Sequence, residues 1–181
     1  DPDYKVPDFN ENLFFSYQDP LEENIRFSIW NKDEFKKVNT IENYRHAIVG
    51  YLAQDIFYRR VNELNELNQS AFRDSFIYED QISDLDMYYL FTASLSQNSI
   101  LQGIEDALTL AEQIKRYGFL ESEFDLAKKR HLDHLNQALI EENTRSSEDF
   151  IDEYIDHFIY EEMITGIAKE IEYTEEMFKS I

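Results

Sequence analysis

The sequence predicts an α+β fold: a two-layer sandwich in which helices cover one face of a mostly antiparallel sheet. Three observations carry this. Short runs of apolar residues, some alternating with polar ones, occur early in the chain and again near its middle, as half-buried strands require. Between and after those runs, apolar residues recur at helical spacing over many turns. The order is strand pair, helix, strand pair, helices, without the regular strand–helix alternation of a parallel sheet.

The elements follow in order. Leu13 to Tyr17 is a short apolar run closed by Gln18-Asp19-Pro20, and it stands as the first strand. Ile25, Phe27 and Ile29 alternate with Arg26, Ser28 and Trp30 in the second. Asn39 and Glu42 mark the start of a long helix reaching about Leu67, with Tyr44, Ile48, Leu52, Phe57, Val61 and Leu64 on its apolar side. Gly50 inside that helix costs about 1 kcal/mol against alanine, which implies close packing there. Phe72 to Tyr78 and Met87 to Ser94 form the second strand pair, joined by an acidic turn at Asp84 to Asp86. Ser146, Ser147, Glu148 and Asp149 open a later helix whose Phe150, Ile151, Tyr154, Ile155 and Phe158 are expected to face inward. A last helical pattern begins at Thr174 and is still under way at Ile181. The expectation is a domain cut from a longer chain, with Met177, Phe178 and Ile181 exposed on the cut face.

The most informative stretch runs from Gly103 to Arg130. Ile100, Leu101, Ile104, Ala107, Leu108, Ala111 and Ile114 mark the buried face of one helix. Lys115 and Arg116 sit in its last turn, where cations suit the helix C-terminus, and Gly118 follows as a stop. Phe124, Ala127, His131, Leu135 and Leu139 then carry the next helix. So short a link is expected to make the two helices one packed unit on the sheet.

Gly103, Leu108, Glu112, the run Arg116-Tyr117-Gly118-Phe119, and then Glu123, Ala127 and Lys128 resemble the Gly-Phe helix pair of the insulinase/pitrilysin family of zinc peptidases. The helix ending in Arg59-Arg60-Val61-Asn62-Glu63-Leu64 and the later His157-Phe158 pair agree with the same order, from about Leu13 onward. The sequence departs from the family at Leu120, where a Thr or Ser commonly caps the second helix. Glu123 keeps its place in the first turn but loses the reciprocal cap, a loss of about 1 kcal/mol.

The larger departure is the missing zinc motif, His-x-x-Glu-His. Of the four histidines, His46 precedes Ala47-Ile48-Val49-Gly50, His131 precedes Leu132-Asp133-His134, and His157 precedes Phe158-Ile159-Tyr160-Glu161-Glu162. None opens His-x-x-Glu-His, and the His-x-x-His of His131 and His134 lacks the family's glutamate base. Members of the family are built from repeated domains of one fold, of which one carries zinc and others wall the substrate chamber. The resemblance therefore implies that residues 1–181 form a single non-catalytic domain of such a peptidase. It implies no cofactor in this chain, zinc only in a catalytic partner domain of the same or a neighbouring polypeptide, and a peptide substrate. A peptide could add as a strand to the sheet edge. The rival reading is a scaffold or assembly subunit of the same fold with no peptidase role. A zinc motif elsewhere in the same polypeptide, or in an adjacent reading frame, would favour the peptidase.

Composition narrows the partners. Hydrophobic residues make up 43%, with 14 Phe, 12 Tyr and one Trp, so the chain can bury a core. A net charge of −21 repels nucleic acid and anionic membrane surfaces and attracts basic peptides. No apolar run reaches the roughly 18 residues of a membrane helix. The absence of cysteine removes disulfides and thiolate ligands and leaves the compartment open between periplasm and cytoplasm.

His131 and His134, at i and i+3, could share a metal with a third ligand, but such pairs arise in any helix bearing histidines. Arg145 and Tyr154 are a loose match to the Arg and Tyr with which the family's far domain can touch substrate. Asp152, Glu153 and Asp156 read as the solvated side of an amphipathic helix. Asp84 and Asp86 lack the glycine and closing glutamate of a calcium loop, and no Gly-x-Ser-x-Gly elbow or phosphate loop is present.

Overall fold

Backbone pairing turns the alternating runs into one sheet. In the computed structural model, which describes residues 7, 9–21, 24–81, 86–95, 97–144 and 146–181, the strands are β1 (Ile25–Glu34), β2 (Phe72–Gln81) and β3 (Asp86–Leu95). They form an antiparallel sheet of order β1-β3-β2. Its register sets Ile25 opposite Leu95, Phe27 opposite Ala93, and both Ile29 and Ile77 opposite Phe91. One face thus becomes a continuous apolar row. On the strands themselves, Ser28 donates to Thr92 Oγ1 (2.8 Å), Thr92 donates to the Phe27 carbonyl (3.2 Å), and Ser75 donates to the Thr92 carbonyl (2.9 Å). These bonds satisfy hydroxyls that burial would otherwise make costly.

The helices are α1 (Ile41–Glu66), α2 (Ile100–Tyr117), α3 (Glu121–Glu141), α4 (Ser147–Tyr160) and α5 (Ile167–Phe178). The cap of α1 is Thr40 rather than Asn39: its Oγ1 accepts the Asn43 amide at 3.1 Å. At the far end Asn68 takes φ 53°, and the Gln69 amide returns to the Leu64 carbonyl at 2.8 Å, closing the helix.

The chain divides into two compact units, Asp1–Phe35 with Phe57–Gly118 and Lys36–Ile56 with Phe119–Ile181. In the first, α2 and the second half of α1 cover the apolar face of the sheet. Phe57, Val61, Phe72, Phe91, Ala93, Leu95, Ala107 and Leu110 form its core, with Phe57 and Phe91 edge to face at 6.2 Å. In the second, Ile48, Leu52 and Ile56 of α1 pack with Ala127 of α3 and Met177 of α5, flanked by Tyr44, Phe119, Phe124, Tyr173 and Phe178.

Several sequence expectations need correcting. Leu13 to Tyr17 forms no strand, and Phe14 and Phe15 are 94% and 90% exposed. An apolar run without a pairing partner does not make a strand, and Asp19 ends this one in a turn by accepting the Leu21 amide at 2.9 Å. Asp84 of the acidic turn lies outside the described residues, while Asp86 opens β3. The helices meeting at Gly118 belong to different units, and only α2 lies on the sheet; α3 packs on α5 and the first half of α1. On α2, Leu110 is buried whereas Ile100, Leu101 and Leu108 are exposed. Helix α5 starts at Ile167, well before Thr174, and ends at Phe178. Met177 is buried, and Phe178 and Ile181 are half-buried against the second core, so the chain's last residues present no bare apolar face. The stripe of α4 is exposed instead: Ile151, Tyr154, Ile155 and Phe158 all face solvent.

Two glycines set the geometry of α2. A Cβ on Gly103 would lie 2.9 Å from Leu95 Cδ2 and 3.2 Å from the Ala71 carbonyl oxygen, so only glycine lets the helix approach so closely. Gly118 has φ 68° and ψ −151°, a region that side chains avoid, and its amide donates to the Ile114 carbonyl at 2.8 Å. Gly103→Ala gains about 1 kcal/mol of helix propensity but loses about 1–3 kcal/mol to overpacking against backbone. A lower urea midpoint is expected, and an unchanged or raised one would refute the close-approach argument. Gly118→Ala meets no atom within 4 Å, so its expected cost of about 1–3 kcal/mol comes from backbone strain alone. A matched Tyr117→Ala control should unfold like the unaltered chain.

Candidate functional site

The second unit carries a partly enclosed polar site, built where α4 gives way to α5. Helix α4 stops because Glu161 adopts φ 58° and its amide returns to the His157 carbonyl at 3.0 Å. His157 Nδ1–H donates to the Glu162 carbonyl at 2.6 Å, and Lys37 pairs with the Glu161 carboxylate at 2.9 Å. Lys37 holds the Glu161 carboxyl below its ordinary range. Gly166, with φ 70°, then starts α5 and accepts the amides of Lys169 and Glu170 at 3.1 Å.

The result is a cavity of about 310 Å³ whose lining includes Tyr44, Glu153, Asp156, Glu162, Glu170 and Tyr173. Burial pushes the Glu162 carboxyl above its ordinary range, and repulsion from Asp156, Glu170 and Glu153 adds to it. The Tyr44 hydroxyl donates to Glu170 Oε1 (3.1 Å) and lies 3.3 Å from Thr174 Oγ1. Burial is the main cause that raises its pKa, with the Thr174 bond acting in the opposite sense. Carboxylates and phenol rings around a small concavity suit one chemistry: a cationic group of side-chain size, which relieves the repulsion that adds to the upward shift of Glu162. The sequence pattern sets Glu153 and Asp156 on a solvated helix face and gives no signal at Glu162 or Glu170. Their convergence depends on the turn at Glu161 and Gly166, which no periodicity reveals.

The other site residues are dispersed. His131 is sealed in the second core, 4.7 Å from the Tyr51 ring and 6.1 Å from the Phe178 ring, and neither ring nitrogen has a polar partner. His134, one turn on, is exposed. Among the described residues no three His, Asp or Glu side chains come together as a metal site would require. Arg145 lies outside the described residues, and Tyr154 is exposed on α4. The motif residues act in the framework. Ala127 is buried in the second core, Phe119 meets Phe124 edge to face at 6.0 Å, and Lys128 donates to the Phe178 carbonyl at 3.2 Å while lying over its ring. Gly103 admits Leu95, whereas Leu108 is exposed. Glu123 accepts the Leu120 amide at 2.7 Å, so one half of the capping pair survives the loss of a side-chain oxygen at Leu120.

Among the described residues of the first unit, β1 and β2 are the edge strands of the sheet, and Trp30, Phe76 and Tyr78 are exposed along them. Edges of this kind can accept an extended peptide through backbone hydrogen bonds.

No protein-family model matches the sequence, and no curated protein matches it. The fold has solved counterparts. The periplasmic protease PqqL from Escherichia coli is similar over 87% of this chain and 18% of its own, at 12% identity and a TM-score of 0.81. The first half of the same protease gives 13% identity and a TM-score of 0.77, over 87% of this chain and 34% of that one. A predicted insulinase family protease from Yersinia pestis gives 9% identity and a TM-score of 0.70, over 86% and 34%. The likeness is one of fold: the chain is folded like part of an insulinase-type protease. It spans about a fifth to a third of the length of the solved chains it matches.

Two titrations test the interior of the second unit, and they run in opposite directions. Burial, with a smaller contribution from His134, lowers the His131 pKa below the ordinary 6.5. The unfolded chain then binds the proton more readily, so stability should fall as pH drops below 6.5 and level off below the folded pKa. His131→Leu is expected to flatten that acid limb in thermal melts; an unchanged limb would refute the buried neutral imidazole. The Glu162 pKa is raised above 4.5, so the folded state holds this proton more tightly and stability should fall as pH rises from 4.5 through the folded pKa. Glu162→Gln is expected to remove that component, and persistence of the slope would show that Glu162 is not desolvated.

Proposed function

We propose that this chain is a non-catalytic domain of an insulinase/pitrilysin-type zinc peptidase. In this reading it forms part of the wall of the peptide chamber and packs against the catalytic domain. The observation that supports it most is the fold likeness to PqqL over 87% of the chain, taken together with a sequence that lacks His-x-x-Glu-His. Water activation needs a metal to lower the water's pKa and a carboxylate to take the proton, and the four histidines offer no such set in the family's arrangement. What the domain would contribute is holding and orientation. An open sheet edge gives an extended peptide backbone partners, and an acidic surface favours substrates rich in Lys or Arg.

The test uses the polypeptide encoded by the complete gene and the 181-residue chain side by side. The short chain is expected to retain no stoichiometric zinc after dialysis and to leave a quenched basic peptide uncut. The complete polypeptide, alone or mixed with a zinc-bearing neighbour, is expected to cleave it in a chelator-sensitive way. Absence of any zinc-dependent cleavage from those assemblies would favour the scaffold reading. Cleavage by the short chain itself, lost in His131→Ala, would instead place a metal site at His131 and His134.

A further inference from the structure

We propose that the cavity between α4 and α5 binds a linear aliphatic di- or triamine, its ammonium groups set on the carboxylates of the wall and its methylenes against the apolar part. Glu153, Asp156, Glu162 and Glu170 line about 310 Å³, and no Lys or Arg is among the lining residues. That volume lies at the small end of the roughly 300–1,000 Å³ typical of ligand pockets, which suits a short flexible molecule. Cations nearby are engaged by other carboxylates: Lys37 pairs with Glu161 at 2.9 Å and Lys169 with Glu172 at 2.7 Å. Burial raises the Glu162 carboxyl above its ordinary range, and repulsion from Asp156, Glu170 and Glu153 adds to it. The acidic walls therefore sense one another's charge.

The spacing of those charges selects the guest. Carboxylates that close on one point hold a metal ion, and among the described residues no group of three or more does so. The acidic residues come instead from α4, the turn after it and α5, and they are spread around the cavity. Charge spread over a wall is matched by charge spread along a chain, whereas a single ammonium or guanidinium leaves most of it unpaired. The rest of the wall suits what joins the charges. Val38, Met163 and Ile167 offer methylenes an apolar surface, and the rings of Tyr44 and Tyr173 offer an ammonium their faces. Lys169 already lies 4.9 Å from the centre of the Tyr173 ring, so that ring attracts a cation on one side. None of this depends on the peptidase reading, since it uses neither a zinc motif nor the sheet edge.

Isothermal titration of the 181-residue chain at about 0.15 M salt, where exposed charges are largely screened, is expected to show one saturable site for spermidine. Putrescine should compete for it, and N-acetyl-lysinamide, with a single ammonium, should bind about tenfold or more weakly than spermidine. Glu162→Gln/Glu170→Gln should weaken spermidine by about tenfold or more. Asp133→Asn/Glu142→Gln, which removes two exposed charges elsewhere, should leave its affinity unchanged. Thermal melts report whether each variant folds, and Asp156→Asn, a single change on another wall, should weaken binding in the same sense. Unsaturable binding, an equal response to magnesium ion, or equal losses in the two double variants would mean that spermidine merely screens the −21 charge, and the proposal fails. Equal affinity for N-acetyl-lysinamide would assign the cavity to a peptide side chain and overturn it as well.

Discussion

Much of the structure depends on the break at Gly118. A backbone at φ 68° and ψ −151° ends α2 and allows α3 to begin at Glu121. The division between the two units falls at the next peptide bond. Arg60 donates to the Gly118 carbonyl at 3.2 Å, tying the break back to α1 within the first unit. On one side of it Ala107 and Leu110 close over the sheet, and on the other Phe119 and Phe124 enter the second core. Any side chain at position 118 would load strain onto the point where two independently packed layers of residues begin.

Helix α1 serves both cores, and this explains why its sequence lacks one clean apolar stripe. Ile48, Leu52 and Ile56 belong to the second unit, while Phe57 and Val61 belong to the first. Each buried side chain of this size contributes about 1.5–3 kcal/mol, so the two short stripes are each strong enough to fix their own layer. A single periodicity fitted across the whole helix blurs them. Ile56 escaped notice for that reason, since it adjoins Phe57 and belongs to a different stripe.

Legibility followed the physics of each signal. The segments of β1, β2 and β3 were legible as strands, but the pairing of β1 with β3 was not, because alternation marks a strand and not its neighbour; the face of α3 was readable because Ala127, His131 and Leu135 keep strict helical spacing. The face of α2 was read only in part: Gly103 decides how the helix meets the sheet, and a glycine carries no hydrophobic signal. The stripe on α4 was found but assigned inward, because periodicity says that a face is apolar and says nothing about what covers it. Helix α5 began unseen, since Gly166 makes no side-chain cap hydrogen bond and Glu170, Glu172, Glu175 and Glu176 dilute the apolar pattern. The acidic cavity was least readable, for its carboxylates come from α4, α5 and the turn between them.

The acidic excess then acquires a more specific meaning than solubility. Scattered surface carboxylates separated by more than a Debye length of about 8 Å scarcely interact at physiological salt. The four that line the cavity do interact, since three of them contribute to the upward shift of Glu162. Folding therefore holds like charges together in the second unit, a cost that the apolar core of Ile48, Leu52, Ile56 and Met177 must offset. A cation entering the cavity reverses the sign of that interaction: it favours ionised Glu162 and turns repulsion among the walls into attraction for the guest. Affinity for such a guest should therefore rise with pH across the Glu162 titration, which is the opposite of what the same carboxyl does to the stability of the empty fold.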